Sequence, residues 1–173
     1  IFSWLGTTGT AAIVEFPAVL YTRGASRNIR RYLIDNNYID TVIQLPPDLF
    51  FGTTIATCII VLKKSKKDNS TLFIDASEEF VHEGNKNKLT EANRKRILNA
   101  YIERQDEEYF CSLIPNSKIA DNDYNIAVSS YVTKEDNSEV IQIEELNARI
   151  AEIVIKQNHL RAAIDEIVAD LEV

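Results

Sequence analysis

Methionine is absent from all 173 residues, and tryptophan occurs once. A complete translation product ordinarily opens with methionine, so a chain that starts at Ile1 is expected to be a piece of a longer protein. Glycine is scarce, and Gly6, Gly9, Gly24, Gly52 and Gly84 lie apart from one another. A phosphate-cradling loop needs closely spaced glycines after a strand, so a small nucleotide-binding domain is disfavoured. Only two cysteines are present, Cys58 and Cys111, separated by 53 positions, and the two histidines, His82 and His159, are far from both. A zinc site wants four N or S ligands at short paired spacings, which leaves buried, reduced thiols as the expectation. No apolar run approaches the roughly 20 residues needed to cross a bilayer. The first ten residues lack the basic start and small-residue cleavage site of a signal peptide, so a cytoplasmic location is expected.

What is present describes an ordinary globular chain, with 45% hydrophobic and 26% charged residues. The net charge of −7 is uneven: residues 1–67 carry +4, residues 68–140 carry −7 and residues 141–173 carry −4. Only the basic front is suited to lie near phosphates. Its cations fall in two clusters, over residues 23–31 and 63–67.

Apolar runs at 11–16 (AAIVEF), 41–45 (TVIQL), 57–62 (TCIIVL) and 72–75 (LFID) predict four strands. Their β-branched residues lack clean alternation, the habit of a sheet buried on both faces. Pro17 closes the first run. Ser26 is the expected N-cap of a helix over 28–34, with Ile29, Tyr32 and Leu33 on one face. The second and third runs are joined by a two-proline loop too short for a helical crossover, so they are expected to pair antiparallel. Thr90 should cap a helix over 91–105, with Ile97, Leu98, Tyr101 and Ile102 as its apolar stripe. Residues 112–132 show no regular pattern, and residues 122–125 (NDYN) form a turn-forming cluster.

The tail is the most regular segment. Ile143, Leu146, Ile150, Ile153, Gln157, Leu160, Ile164, Ile167 and Leu171 recur at alternating spacings of three and four, an a/d heptad pattern with one polar position at Gln157. A stripe this long predicts a helix that pairs with another helix, in this chain or in a partner. Folding back onto its own domain is the plainer alternative.

Four segments together resemble one family. Residues 12–31 (AIVEFPAVLYTRGASRNIRR) are similar to its strand, proline and R-G-G loop followed by a helix. Residues 42–62 (VIQLPPDLFFGTTIATCIIVL) resemble its V-I-x-L-P-x-x-L-F-F/Y-G-T-x-I signature, and residues 73–77 (FIDAS) and 122–131 (NDYNIAVSSY) resemble two further blocks. The family is the modification subunit of type I restriction-modification systems, an adenine-N6 DNA methyltransferase that uses S-adenosylmethionine. The resemblance implies an α/β fold: the edge portion of a mixed, Rossmann-type methyltransferase sheet, then helices, then a long C-terminal coiled-coil-type helix. The corresponding divisions are residues 1–77 for the sheet, 78–140 for a helical and irregular segment, and 141–173 for the assembly helix.

Two departures concern backbone freedom, since Ala18 and Ala25 stand where the family carries glycine. A larger one concerns chemistry. The family's catalytic Asn-Pro-Pro-Phe/Tyr motif is absent, because the four prolines follow Phe16, Leu45, Pro46 and Ile114. The chain alone is therefore expected to have no catalytic residues, to bind no cofactor and to be inactive. The resemblance still implies a base-pocket set of Phe51, Phe50, Thr53 and Thr54. Phe51 is the better base-facing candidate, and Phe50 is alternatively a plug at the sheet edge. Arg23, Arg27, Arg30 and Arg31 are phosphate-contact candidates, with Arg30 alternatively structural. Leu146, Ile150, Ile153, Gln157, Leu160, Ile164, Ile167 and Leu171 form the subunit-interface set. The implied partners are a specificity subunit, a restriction subunit, a second modification subunit and double-stranded DNA. The rival reading is a free-standing assembly module acting through the heptad helix.

Overall fold

A computed structural model describes residues 1–134 and 143–171, with no side chain described at 143–145, 165–167 or 169–171. The chain divides into two units, Ile1–Glu135 and Asp136–Val173.

The first unit is built on a five-stranded sheet in the order β1-β3-β2-β4-β7. Its strands are β1 (Thr10–Glu15), β2 (Ile39–Gln44), β3 (Cys58–Lys63), β4 (Ser70–Asp75) and β7 (Cys111–Pro115). β3 runs antiparallel to both β1 and β2, as the short two-proline loop predicts, while β2 and β4 are parallel. β7 pairs antiparallel with β4, and α3 (Asn116–Asp121) follows it. Residues 112–132 are therefore partly regular, against the expectation. The strand there is short and mixes Cys111, Ser112 and Pro115 with only two large apolar residues, which hides its period.

Alternate residues of the central strands supply two cores. Val42 and Phe73 face one side with Leu20, Ile34, Ile119 and Ile126. Ile43, Leu72 and Ile74 face the other, with Ala100 and Phe110. Phe73 is buried and stacks on Tyr131 at 4.4 Å between ring centroids. Both cysteines are free and buried, as expected.

Helix α1 spans Ala25–Asp35 and starts earlier than expected. Its N-cap is Gly24, with φ of +74°, and not Ser26; no side chain caps it. Only glycine takes such a conformation without strain, so Ala25, already helical, causes no difficulty. The buried face of α1 is Arg30 with Ile34, an i,i+4 pair, whereas Ile29 (59% exposed) and Tyr32 face outward. Arg30 displaces the apolar pattern because its buried guanidinium holds two carbonyls, described below.

Helix α2 (Glu91–Glu103) has the expected cap: the Asn93 amide donates to Thr90 Oγ1 at 3.2 Å, and the Thr90 amide donates to Asn93 Oδ1 at 3.0 Å. It ends at Arg104 in the left-handed region. Ile97, Ala100 and Tyr101 pack inward, while Leu98 (52% exposed) and Ile102 stand out. Between β4 and α2 lies a small hairpin, β5 (Val81–Glu83) with β6 (Lys86–Lys88).

The second unit contains α4, Ile143–Leu171, which at 1.5 Å per residue is roughly 43 Å long. Leu146, Ile150, Ile153, Gln157, Leu160 and Ile164 are exposed on it. The side chains of Ile143, Ile167 and Leu171 lie outside the described residues. Among the described residues no helix is long and apolar enough to cross a membrane.

Candidate nucleic-acid interface

Strand register sets the geometry. Glu15 and Gln44 both pair with Cys58, and Gln44 also pairs with Asp75. These four residues stand abreast at one edge of the sheet, the carboxyl end of β1, β2 and β4. Three connections leave that edge: residues 16–24, 45–57 and 76–90. Ligands of open α/β sheets gather at such an edge.

The middle connection carries the base-pocket candidates. Its base is closed by the Leu45 amide and the Gln44 side-chain amide, which both donate to the Thr57 carbonyl at 2.9 and 3.1 Å. Asp48 and Gly52 take positive φ of 54° and 80°, so the chain reverses sharply on both sides of Phe50-Phe51. Phe51 is fully exposed at the tip, and Phe50 is 39% exposed beside it. Phe50 is thus partly covered and partly open. Thr53 is half-buried and its hydroxyl accepts the Ile55 amide at 3.1 Å, while Thr54 is exposed. The Thr57 hydroxyl, on a residue 5% exposed, is the buried side-chain polar atom among the described residues that lacks a hydrogen-bond partner.

The arginines lie on the first connection and the start of α1, where they meet the loop formed by residues 122–131. Asp123 and Tyr124 take successive positive φ values of 54° and 58°, which turns both toward α1. Arg27 Nε donates to Asp123 Oδ1 at 2.6 Å. That bond holds the Asp123 carboxyl below its usual range and raises Arg27 further. The guanidinium groups of Arg27 and Arg31 lie over the Tyr124 ring, 5.6 and 6.0 Å from its centroid. Arg30 is only 4% exposed and donates to the Tyr124 carbonyl at 2.7 Å and the Val19 carbonyl at 2.8 Å. Its guanidinium is enclosed by protein and engaged by these two carbonyls. Arg23 and Arg31 are exposed. Tyr131 completes the arrangement by donating to the Asn125 carbonyl at 2.6 Å. The NDYN segment is therefore a clasp on the arginine-bearing helix.

The other basic cluster sits at the opposite edge of the sheet, and two of its four lysines are engaged by backbone carbonyls of the fold. Lys64 donates to the Leu5 carbonyl, and Lys66 to those of Ile39 and Ser70, at 2.6 to 2.7 Å. Burial pulls the Lys66 ammonium down to about 8.

Residues on the third connection went unremarked in the sequence pattern. Lys86 and Asn87, on the β5–β6 hairpin, bond directly to the Phe51 loop. Their signal is too short and polar to stand out before the fold is known.

A methyl donor needs a glycine cradle, which the described residues do not assemble. Gly24, Gly52 and Gly84 each serve an isolated turn with positive φ, and a Cβ at Gly9 would meet Leu5 rather than a ligand-sized space. Among the described residues, no group of three or more His, Cys, Asp or Glu side chains is placed to hold a metal ion.

Comparison with known proteins finds relatives in sequence and in fold. A family model described as N-6 DNA Methylase matches residues 1–140. The methylase subunit of the type I restriction enzyme MpnII from Mycoplasma pneumoniae is 44% identical over 170 residues, which cover 98% of this chain and 31% of that subunit. Among solved structures, the methyltransferase subunit of a type I restriction-modification system from Streptococcus thermophilus superposes with a TM-score of 0.70 at 43% identity, over 72% of this chain and 26% of that one. The M protein of the type I restriction enzyme EcoKI shares the fold at 15% identity, with a TM-score of 0.63 over 91% of this chain and 41% of that one. The chain spans about 31% of the length of the curated relative from Mycoplasma pneumoniae.

Proposed function

The chain belongs to the N-6 DNA methylase family, and from that premise we propose that it serves as the C-terminal part of a type I modification subunit that methylates adenine N6 in DNA. S-adenosylmethionine supplies the methyl group in the full-length subunit. The residues of this chain do two other things: they receive the target base, and they dock the subunit in its complex.

The observation that carries the first role is Phe51, an aromatic side chain fully exposed at the tip of a loop on the carboxyl edge of the sheet. Leaving a phenylalanine in water forgoes roughly 1.5–3 kcal/mol of burial, and a flipped base stacking on the ring recovers such surface. Phe50, Thr53 and Thr54 flank it. Arg23, on the first connection leaving the same edge, and Arg27 and Arg31, on the helix that follows it, are suited to DNA phosphates, while Arg30 positions that helix. In the intact subunit Phe51→Ala should slow methylation roughly ten-fold or more, because base–aromatic stacking is worth about 1–3 kcal/mol. Unchanged methylation kinetics in a folded Phe51→Ala subunit would refute the assignment. The 173-residue chain alone should neither methylate DNA nor bind the cofactor, and micromolar affinity in calorimetry would overturn that part.

The second role rests on the exposed a/d residues of α4. A helix with this pattern suits pairing with a helical segment of the specificity subunit, in a complex that also holds a second modification subunit and the restriction subunit. The net charge of −4 over residues 141–173 disfavours a parallel copy of itself. These same residues would serve the alternative reading, an assembly module without an enzymatic role.

A further inference from the structure

We propose that Lys86 is a positioning residue that holds Phe51 at the tip of its loop, and that the β5–β6 hairpin exists to deliver it. The proposal rests on Phe51 as the base-facing residue and adds what fixes its pose.

The loop does little to hold itself. Across residues 48–55 its internal bonds are a long one from the Asp48 amide to the Thr54 carbonyl, at 3.4 Å, and the Ile55 amide to the Thr53 hydroxyl. The hairpin supplies the rest. Lys86 Nζ donates to the Phe50 carbonyl at 3.2 Å and to the Thr53 carbonyl at 3.1 Å. Those carbonyls bracket Phe51-Gly52, so one ammonium ties both ends of the tip. Asp48 Oδ1 lies 3.5 Å from the same nitrogen, giving the three N–H groups three acceptors. Next along the strand, the Asn87 side chain donates to the Pro47 carbonyl at 2.8 Å and its amide to the Asp48 carbonyl at 3.1 Å. The hairpin thus engages the carbonyls of residues 47, 48, 50 and 53.

The hairpin has no core of its own to stand for. Its strands are three residues each, β5 is exposed throughout, and Asn87 is its buried member. Two isolated strands of that length are marginal in water, so hairpin and loop order each other. The Lys86–Asp48 ion pair contributes little by itself, with both side chains more than a third exposed. The carbonyl bonds, which dictate the direction of the tip, carry the argument. Gly52, at positive φ, makes the tip a pivot that would otherwise turn freely.

The test uses Lys86→Met, which keeps the stem and removes the donors, Lys86→Arg, which restores donors, Phe51→Ala, and the Lys86→Met/Phe51→Ala pair. In the intact subunit, Lys86→Met should lower kcat roughly five- to ten-fold with KM for DNA little changed, and Lys86→Arg should recover most of it. In the Phe51→Ala background Lys86→Met should add nothing, because it acts only through that ring. Additive effects, wild-type kcat in Lys86→Met, or an arginine variant no better than methionine would each overturn the proposal. Phe51→Ala with wild-type kinetics would instead remove the base-stacking reading beneath it. A second measurement needs no activity: in the 173-residue chain, mass-mapped chymotrypsin cleavage after Phe51 should rise roughly ten-fold in Lys86→Met, and an unchanged rate overturns the positioning role. Lys86→Gln serves in the same comparisons if the methionine variant does not fold.

Discussion

Arg30→Met separates a residue that holds the fold from one that touches DNA. The guanidinium is buried and its two carbonyl bonds measure 2.7 and 2.8 Å. Burial lowers its pKa, and the nearby Arg27 lowers it further against the opposing influence of Asp123; even so, an arginine stays charged throughout the working range. Methionine keeps most of the aliphatic stem but leaves the Val19 and Tyr124 carbonyls without these donors. Each orphaned group costs about 1–3 kcal/mol, offset in part because a buried charge no longer has to be desolvated. A net loss of about 2–4 kcal/mol is expected. For a unit of this size 1 kcal/mol moves Tm by about 3–4 °C, so the variant should melt roughly 6–16 °C below wild type, measured by calorimetry and by urea titration of the 173-residue chain. Arg23→Met should leave Tm within about 2 °C, since surface changes are small, and in the intact subunit should flatten the salt dependence of DNA binding by about one phosphate contact. An Arg30→Met chain that melts with wild type, in a subunit that nonetheless loses DNA affinity, would refute the reasoning.

Stability should rise between about pH 8 and 9. Lys66 binds its proton less tightly folded, near 8 against an ordinary 10.5, so the unfolded chain holds more protons in that window and each step up in pH favours the fold. From about pH 9 to 10.5 that gain is offset, because burial pushes the Cys58 thiol up to about 11 and the folded chain there keeps a proton the unfolded chain has lost; above about pH 10.5 only the Cys58 loss remains. Urea midpoints at pH 7, 8, 9 and 10 read the rise and its levelling; Lys66→Met should flatten the rise and Cys58→Ala should let it continue past pH 9, and a wild-type midpoint that falls from pH 7 to 9 would contradict the account. Replacing Ile153 and Leu160 by Asp should abolish co-purification with the specificity subunit while Tm of the first unit stays put, and wild-type assembly would return α4 to the plainer reading. Thr57→Val should leave stability unchanged or raise it by up to about 1 kcal/mol, because the buried hydroxyl has no partner to lose; a loss above 1 kcal/mol would show that the hydroxyl is bonded after all.

The four strands of the front half, the antiparallel β2–β3 pair and the Thr90 cap were legible because each rests on a local rule: apolar runs, loop length, a capping residue with a partner three positions on. β7 was not, since pairing with β4 decides it and its own residues show no period. The β5–β6 hairpin was missed for a related reason: VHEGNKNK has no apolar alternation, and what fixes it is a lysine and an asparagine reaching another loop. Residues 122–125 read as a turn, which they are. That the turn clasps an arginine helix 90-odd positions earlier depends on side-chain contacts the spacing does not reveal. Phe51 and Phe50 were singled out by the family resemblance and by no local rule, and their exposure, full for Phe51 and partial for Phe50, became visible only in the fold.

The two helical faces assigned from periodicity and then found exposed point to a common cause. Ile29 lines a groove with Ile13, Leu33 and Ile60 on one side of β1 and β3. Leu98 lines another with Ala12, Ile59 and Val61 on the opposite side. Between them β1, at the margin of the sheet, leaves Val14 half-exposed, whereas β2 and β4 are enclosed. An apolar margin strand flanked by two apolar grooves is a poor way to end a sheet, because a bare edge invites pairing with other chains. It is a good way to continue one. In the proposed intact subunit, of which this chain matches about a third, further strands beside β1 would cover both grooves and bury Ile29 and Leu98. On that proposal the periodicity of α1 and α2 would be the pattern of a larger core, which is why it does not match the burial seen at Ile29 and Leu98.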